Sequence, residues 1–338
     1  MKRALAGLLL LAIVGSAAAR YSFYVLLECP GPPLATPLRI DVATGEPFRV
    51  TAGKLVAAGL VPSARALTLW ARYTGADRQI QVGAYEFQSA VSPIALVDKM
   101  RSGEAMMVHV MLPEGGTARD LALVLERGGL SASSRYLELM RDPTFARSLG
   151  VAADGLEGYL FPDTYFFSPL DAPEKVVGTF VSRFQKLFTP EMIAEATKSG
   201  FSVHQIVTLA SVIEKETARD DERPLVSAVF RNRLRIGMPL QADPTVIYGI
   251  ESFNGNLTRK DLDTPTPYNT YTEVGLPPGP IANPGRAALA AALHPADVPY
   301  LYFVARDDGS HEFNATLADH NRAVSRYQRS RQAKQQTG

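Results

Sequence analysis

Two glutamates separated by one lysine close an apolar run, Leu209-Ala-Ser-Val-Ile-Glu214-Lys-Glu216-Thr217. A carboxylate at the end of a segment built for burial is a candidate general acid. Removal from water disfavours the charged form and raises the pKa, and a carboxyl that keeps its proton near neutrality can deliver it to a leaving oxygen. On a helical period Val203, Val207, Ala210 and Glu214 share one face. Glu216, two residues on, points roughly 200° away, so the two carboxylates cannot address one bond together. Glu214 ends the most uniformly apolar stripe and is the candidate acid. The competing reading is a structural ion pair at the helix end with Arg219 or Arg223.

Other polar groups fall in segments suited to binding. Gln241, Asp243 and Thr245 alternate, as in a strand or loop with one polar edge. Thr264–Gly285 is rich in Pro and Gly yet carries Tyr268, Asn269, Thr270 and Tyr271. A long ordered loop of this kind usually serves binding, and rings beside amides and hydroxyls suit a sugar. Glu157 and Asp163 sit among the aromatics of Leu156–Phe167, which otherwise reads as a core strand with a proline turn; charges among buried rings need partners. His311, Asn314 and Asn321 could line the same cleft. The five histidines form no HExxH pattern and the single cysteine, Cys29, excludes a disulfide framework. No metal or other cofactor is expected. A formal net charge of +1 argues against nucleic acid as a partner.

The elements that position these groups follow from periodicity and punctuation. The 338 residues suggest two domains. Residues 38–112 read as a small unit of strands flanking helices: strand, turn, strand and helix over Leu38–Val61, a helix at Ser63–Gly75, then strand, helix, strand, with Gly103 closing the last helix. Thr117 caps a further helix, and two more cover Ala132–Asp142 and Ala172–Phe188. The helix of Glu214 opens with a capping box, Ser202 with Gln205. Apolar on several sides, it should be central in its domain. Leu225–Gly249 reads as a helix, a turn at Gly237 and a short polar run, and the chain ends in a strand, an Asp308-Gly309 turn, a strand and a helix.

At the N-terminus, Lys2 and Arg3 precede an apolar stretch that runs from Ala4 to Leu27, interrupted by Arg20. Its length can span a bilayer, Tyr21 and Tyr24 suit an interface, and the Lys2–Arg3 end should stay inside. An uncleaved anchor is favoured over a cleaved signal sequence. Cys29 reads as an incidental thiol, and Cys29–Pro37 as a stiff spacer. The expected division is an anchor over 1–28, a linker over 29–37, a module over 38–112, a catalytic domain over 113–330 and a tail over 331–338.

The blocks EGYLFPDTY, LASVIEKET, VFRNRLRIGMPLQADPTVIYG, DTPTPYNTYTEVGLPPGPIANPG, AALHPA and YLYFVA with GSHEFNATLADHN occur in this order between Leu112 and Arg326. Together they resemble the YceG-like family of endolytic murein transglycosylases. The resemblance implies an α+β protein: a transmembrane helix, a small LysM-like module at 38–112, and a mixed α/β catalytic domain around a central buried helix. It implies a catalytic role for the first Glu of EKET, Glu214, and no cofactor. The implied substrate is the glycan strand of peptidoglycan, cut between N-acetylmuramic acid and N-acetylglucosamine to leave 1,6-anhydro ends. Gln241, Asn269 and Tyr271 are candidates for holding the acetamido groups, with Glu157, Asp243 and Asn314 as further substrate-binding residues. The implied setting is the bacterial inner membrane, single-pass, with the catalytic domain on the periplasmic side beside peptidoglycan synthases. One carboxyl acting as acid and then base would suffice. A hydrolytic muramidase would instead need Asp243 or Asp163 as a second carboxylate, and a binding scaffold would need none.

Overall fold

The computed structural model describes residues 2–337, with side chains over residues 7–327. The side chains of Lys2 and Arg3, and those of the expected tail, lie outside the described residues. The chain divides into two compact units, residues 1–109 with 166–171, and residues 110–165 with 172–338.

In the first unit, α1 (Lys2–Phe23) continues as a π-helical turn, Tyr24–Glu28. Gly7–Glu28 is long and apolar enough to cross a membrane. Then come β1 (Leu38–Val42), α2 (Phe48–Ala57), α3 (Ala64–Thr74), β2 (Gly83–Phe87) and α4 (Pro93–Ser102). β1 and β2 are antiparallel, Leu38 opposite Phe87 and Val42 opposite Gly83. Ile40, Leu55, Leu67, Tyr85, Leu96 and Met100 form the core, and Leu27, at the end of the apolar helix, joins them. The strand expected after Gly45 is absent: Phe48–Val50 is the first turn of α2, behind Pro47 as N-cap. Ser92 caps α4 and Gly103, at φ 75°, ends it.

The second unit is mostly helical. β3 (Val108–Met111) and β4 (Thr164–Phe167) are each divided between the units, and between them in sequence come α5 (Ala118–Arg127), α6 (Ser133–Arg141) and α7 (Pro143–Ser148). Only the β4 end of Leu156–Phe167 is a strand; the part carrying Glu157 is irregular. Next follow α8 (Pro173–Leu187), α9 (Pro190–Lys198), α10 (Val203–Glu216), α11 (Arg223–Arg235), α12 (Asp243–Gly249), α13 (Arg259–Asp263) and α14 (Arg286–Leu293). The antiparallel hairpin β5 (Tyr302–Ala305) and β6 (His311–Asn314), and the helix α15 (Leu317–Thr337), close the chain. The architecture is therefore mixed α/β with small two-stranded sheets.

α10 is the central element. Its capping box is present at both hydrogen bonds, and eight consecutive residues, Ile206 to Ile213, are buried. It packs against α9, α11, α12 and α14. Each fully buried Val, Leu or Ile contributes about 1.5–3 kcal/mol, so the end of α10 is held firmly.

Candidate active site

The last turn of α10 gives its two glutamates opposite surroundings. Glu214 is enclosed, its side chain 5% exposed. One carboxylate oxygen accepts from Arg223 Nη2 at 2.8 Å and the other from the backbone N–H of Gly285 at 2.9 Å. Arg223, itself 5% exposed, also pairs with Asp220. Gly285 is the N-cap of α14, where a negative charge is favoured by the helix dipole. A Cβ at Gly285 would fall 1.9 Å from Oε1 of the exposed Glu114, whose side chain would have to turn aside.

Glu214 is the last of several ties from α10 to one proline-rich loop. His204 Nε2 meets the Pro278 carbonyl at 2.9 Å, Ser211 Oγ accepts from the Ile281 N–H at 3.0 Å, and Glu214 takes the Gly285 N–H. Positions 204, 211 and 214 lie on one helical face, so this stripe fastens the loop. A carbonyl can only accept, so His204 Nε2 carries the proton and Nδ1 accepts from Tyr159 OH at 3.0 Å. The apolar setting expected for Glu214 is thus replaced at its carboxylate by two donors. Its ion-pair partner is Arg223, one of the two candidates from sequence.

Glu216 points elsewhere. Among the described residues no hydrogen bond reaches its carboxyl. Burial first and then the charge of Asp243 raise its pKa, against the opposing charge of Arg233, to about 7. Asp243 accepts from Tyr271 OH at 2.6 Å. Arg233 is held by the carbonyls of Leu301 and Leu240, both at 2.7 Å. Beside this group Gln241 has φ 50°, the one positive φ at a described non-glycine residue; its N–H donates to the Thr270 carbonyl at 2.9 Å. Such backbone strain costs of order 1–3 kcal/mol and concentrates at functional positions. The alternation expected over Gln241–Thr245 is not strand: Asp243 and Pro244 open α12.

Glu157 occupies a second polar centre. It accepts from the Ala118 N–H at 3.0 and 3.1 Å, Asn283 Nδ2 at 2.9 Å and Tyr248 OH at 3.3 Å. Burial lifts its pKa to about 7 against these lowering bonds. It lines a cleft of about 1360 Å³ with Lys215, Pro244, Tyr248 and Tyr268. Gly158, at φ 86°, is required there, since a Cβ would come within 2.5 Å of Pro280.

The remaining sequence candidates do not gather here. Asn269 is buried, its Nδ2 shared among the carbonyls of Asp261, Leu262 and Thr264 and its Oδ1 accepting from the Tyr271 N–H. It braces the loop from within and presents no amide to a ligand. Asn314 is buried on β6, with Nδ2 toward the Glu312 carbonyl. Asp163 pairs with Arg183 at 2.8 Å. His311 is bound to Glu222 through both its backbone N–H and Nδ1. Arg233, Tyr248 and Asn283 were not foreseen; their partners lie 68, 91 and 126 positions away for the bonds to Leu301, Glu157 and Glu157, so no local pattern marks them.

A model of the YceG-like family matches residues 40–326. The chain belongs to the YceG-like family. The endolytic murein transglycosylase of Bacillus subtilis (strain 168) is 32% identical over 308 residues, covering 86% of this YceG-like chain and 85% of the relative. The endolytic murein transglycosylase of Streptococcus pneumoniae serotype 2 is 27% identical over 321 residues, covering 85% of the chain and 58% of the longer relative. The crystal structure of a yceG-like protein from Listeria monocytogenes superposes with a TM-score of 0.59 at 31% identity, over 86% of this chain and 99% of that one.

Proposed function

We propose that this YceG-like chain is an endolytic peptidoglycan lytic transglycosylase. It cuts the bond between N-acetylmuramic acid and N-acetylglucosamine within a strand and leaves a 1,6-anhydro end. Two similar proteins carry the name endolytic murein transglycosylase. The observation that carries the chemistry is Glu216: a carboxyl without a hydrogen bond among the described residues, raised to about 7, beside Asp243 and Arg233.

The resemblance pointed to Glu214, and the surroundings favour its neighbour. A single acid–base group must hold a proton, give it up and take one back. Both oxygens of Glu214 are engaged by donors in an enclosed ion pair. In our reading Glu214 anchors the loop and Glu216 does the chemistry. Protonated Glu216 donates to the glycosidic oxygen as the C1–O bond breaks and the N-acetylglucosamine 4-hydroxyl departs. The muramic sugar takes oxocarbenium character, which its own 2-acetamido group stabilises. The Glu216 carboxylate then accepts the C6 hydroxyl proton as that oxygen bonds to C1, which restores the acid. Gln241 and Tyr271, beside this group, are the binding candidates that remain. Glu157 lines the neighbouring cleft, its oxygens taken by Ala118, Tyr248 and Asn283.

One observation favours a second reading. Asp243 lies close enough to Glu216 for its charge to raise the pKa, and two carboxylates serve a hydrolytic muramidase. The bond from Tyr271 OH engages one of the two Asp243 oxygens, Oδ1, and orients the group. We further read the strand–helix–helix–strand unit as a LysM-like module. Gly7–Glu28 is read as a single-pass inner-membrane anchor, with the catalytic domain on the periplasmic side beside peptidoglycan synthases.

The test is a pair of conservative variants on purified glycan strands. Glu216→Gln should lower kcat by at least about 10²–10⁴-fold, and Glu214→Gln much less at a temperature where both remain folded. A larger loss in folded Glu214→Gln returns the acid role to Glu214.

A further inference from the structure

The cleft beside Glu157 is not the place where Glu216 sits, yet the two adjoin: Lys215 and Pro244 line the cleft, one residue from Glu216 and Asp243. Its volume of about 1360 Å³ exceeds the ~300–1,000 Å³ usual for a small-molecule pocket. Its apolar surface comes from Pro244, Pro280 and the Tyr248–Tyr268 ring pair, 4.9 Å between centroids. The lining carries both signs of charge, with Arg119, Arg141, Arg147 and Lys215 against Asp120, Asp154, Glu157 and Glu251. Arg119 is turned toward the Glu251 carbonyl and Lys215 toward that of Gly115. Arg141 and Arg147 are exposed, with no side-chain partner among the described residues.

The wall is built and fixed. His204 and Ser211 pin the Pro278–Ile281 segment. The Asn283 amide joins Glu157 and the Gly116 carbonyl with Nδ2, while Oδ1 accepts from the N–H groups of Gly158 and Leu160. A pre-formed cleft of this size costs little to order on binding. A strand stripped of its stems carries one sign of charge only, the lactyl carboxylate of each muramic acid, and calls for no such mixture. A short peptide with free carboxylates and a side-chain amine calls for both signs, together with an apolar floor.

We propose that this cleft is the subsite for the peptide stem attached to the muramic acid of peptidoglycan. The chain then prefers strands that still carry stems. This rests on the peptidoglycan reading above. Arg141 and Arg147 are the positioning cations for the stem carboxylates, acting away from the reacting bond.

The experiment uses the full-length chain in detergent, with two probes. The first is a free tetrapeptide stem containing a diamino acid, titrated by calorimetry. The second is a matched pair of glycan preparations, one bearing stems and one stripped by an amidase. The wild type should bind the peptide, and the double variant R141A/R147A should bind it about tenfold more weakly. The ratio of kcat/KM on stem-bearing over stripped strands should fall by a similar factor, through KM. No peptide binding by the wild type, or an unchanged ratio in the variant, overturns the subsite. A chain that binds the peptide yet makes no anhydro ends on either preparation overturns the reaction and leaves the subsite standing.

Discussion

Neutralising Glu216 should stabilise the protein at alkaline pH, whereas neutralising Glu214 should destabilise it there. In the folded chain the Glu216 carboxyl is raised from the ordinary 4.5 to about 7 by burial and by Asp243. The folded state therefore binds this proton more tightly than the unfolded state. The stabilisation is complete below pH 4.5 and is lost as pH rises through 7. A shift of that size corresponds to roughly 3 kcal/mol. Glu216→Gln has no charge to bury, so it should match wild type near pH 4 and exceed it by up to about 3 kcal/mol at pH 8. Glu157 is shifted in the same direction, so the variant keeps part of the wild-type loss. Glu214→Gln leaves Arg223 enclosed with only Asp220, and turns an amide donor toward either Arg223 or the Gly285 N–H. Breaking a buried pair in this way costs about 3–5 kcal/mol. Urea unfolding of both variants between pH 4 and 8 reads the two effects. A Glu216→Gln chain no more stable than wild type at pH 8, or a Glu214→Gln chain as stable as wild type, would refute the assignment of the two environments.

The other predictions are shorter. Gly158→Ala should be strongly destabilising, by more than about 2 kcal/mol, because Gly158 has φ 86° and its Cβ would meet the Pro280 ring and Val207; thermal unfolding reads it. Asn269→Ala should lower stability by about 1–3 kcal/mol through the carbonyls it serves, and unfolding of folded protein separates that loss from substrate affinity. Tyr271→Phe removes the donor from Asp243 and should raise the share of hydrolytic ends, measured by their reduction with borohydride. With Glu216 as the proposed acid, its pKa raised to about 7, the catalytic rate should fall as pH rises through about 7; a pH–rate profile flat from pH 6 to 8 contradicts that role.

Local signals in the sequence carried far. The Ser202–Gln205 box and the apolar run place α10 at the centre of its unit, because capping and periodicity are set within a few residues. The hairpin turn at Asp308-Gly309 is legible for the same reason, with Gly309 at φ 80°. Asp243-Pro244 was read as alternation, although proline at the start of a helix is a helix signal. The relative characters of Glu214 and Glu216 were not legible. Periodicity separated their faces but could not say that a loop 71 residues away would return to cap Glu214, or that Asp243 would approach Glu216. Asn269 misled because an amide in a polar loop looks the same whether it faces a ligand or the loop's own carbonyls.

The central claim is tested most directly by mass spectrometry of the ends produced from purified glycan strands, with and without borohydride reduction. Tethering the C6 hydroxyl to the reacting carbon can supply up to roughly 7–11 kcal/mol of the barrier, so it should outcompete water at Glu216. The account predicts internal cuts whose new ends are lighter by one water than hydrolytic ends and are not reduced by borohydride. Mainly reducible, full-mass ends would contradict it and would make Asp243 the activating base of a muramidase.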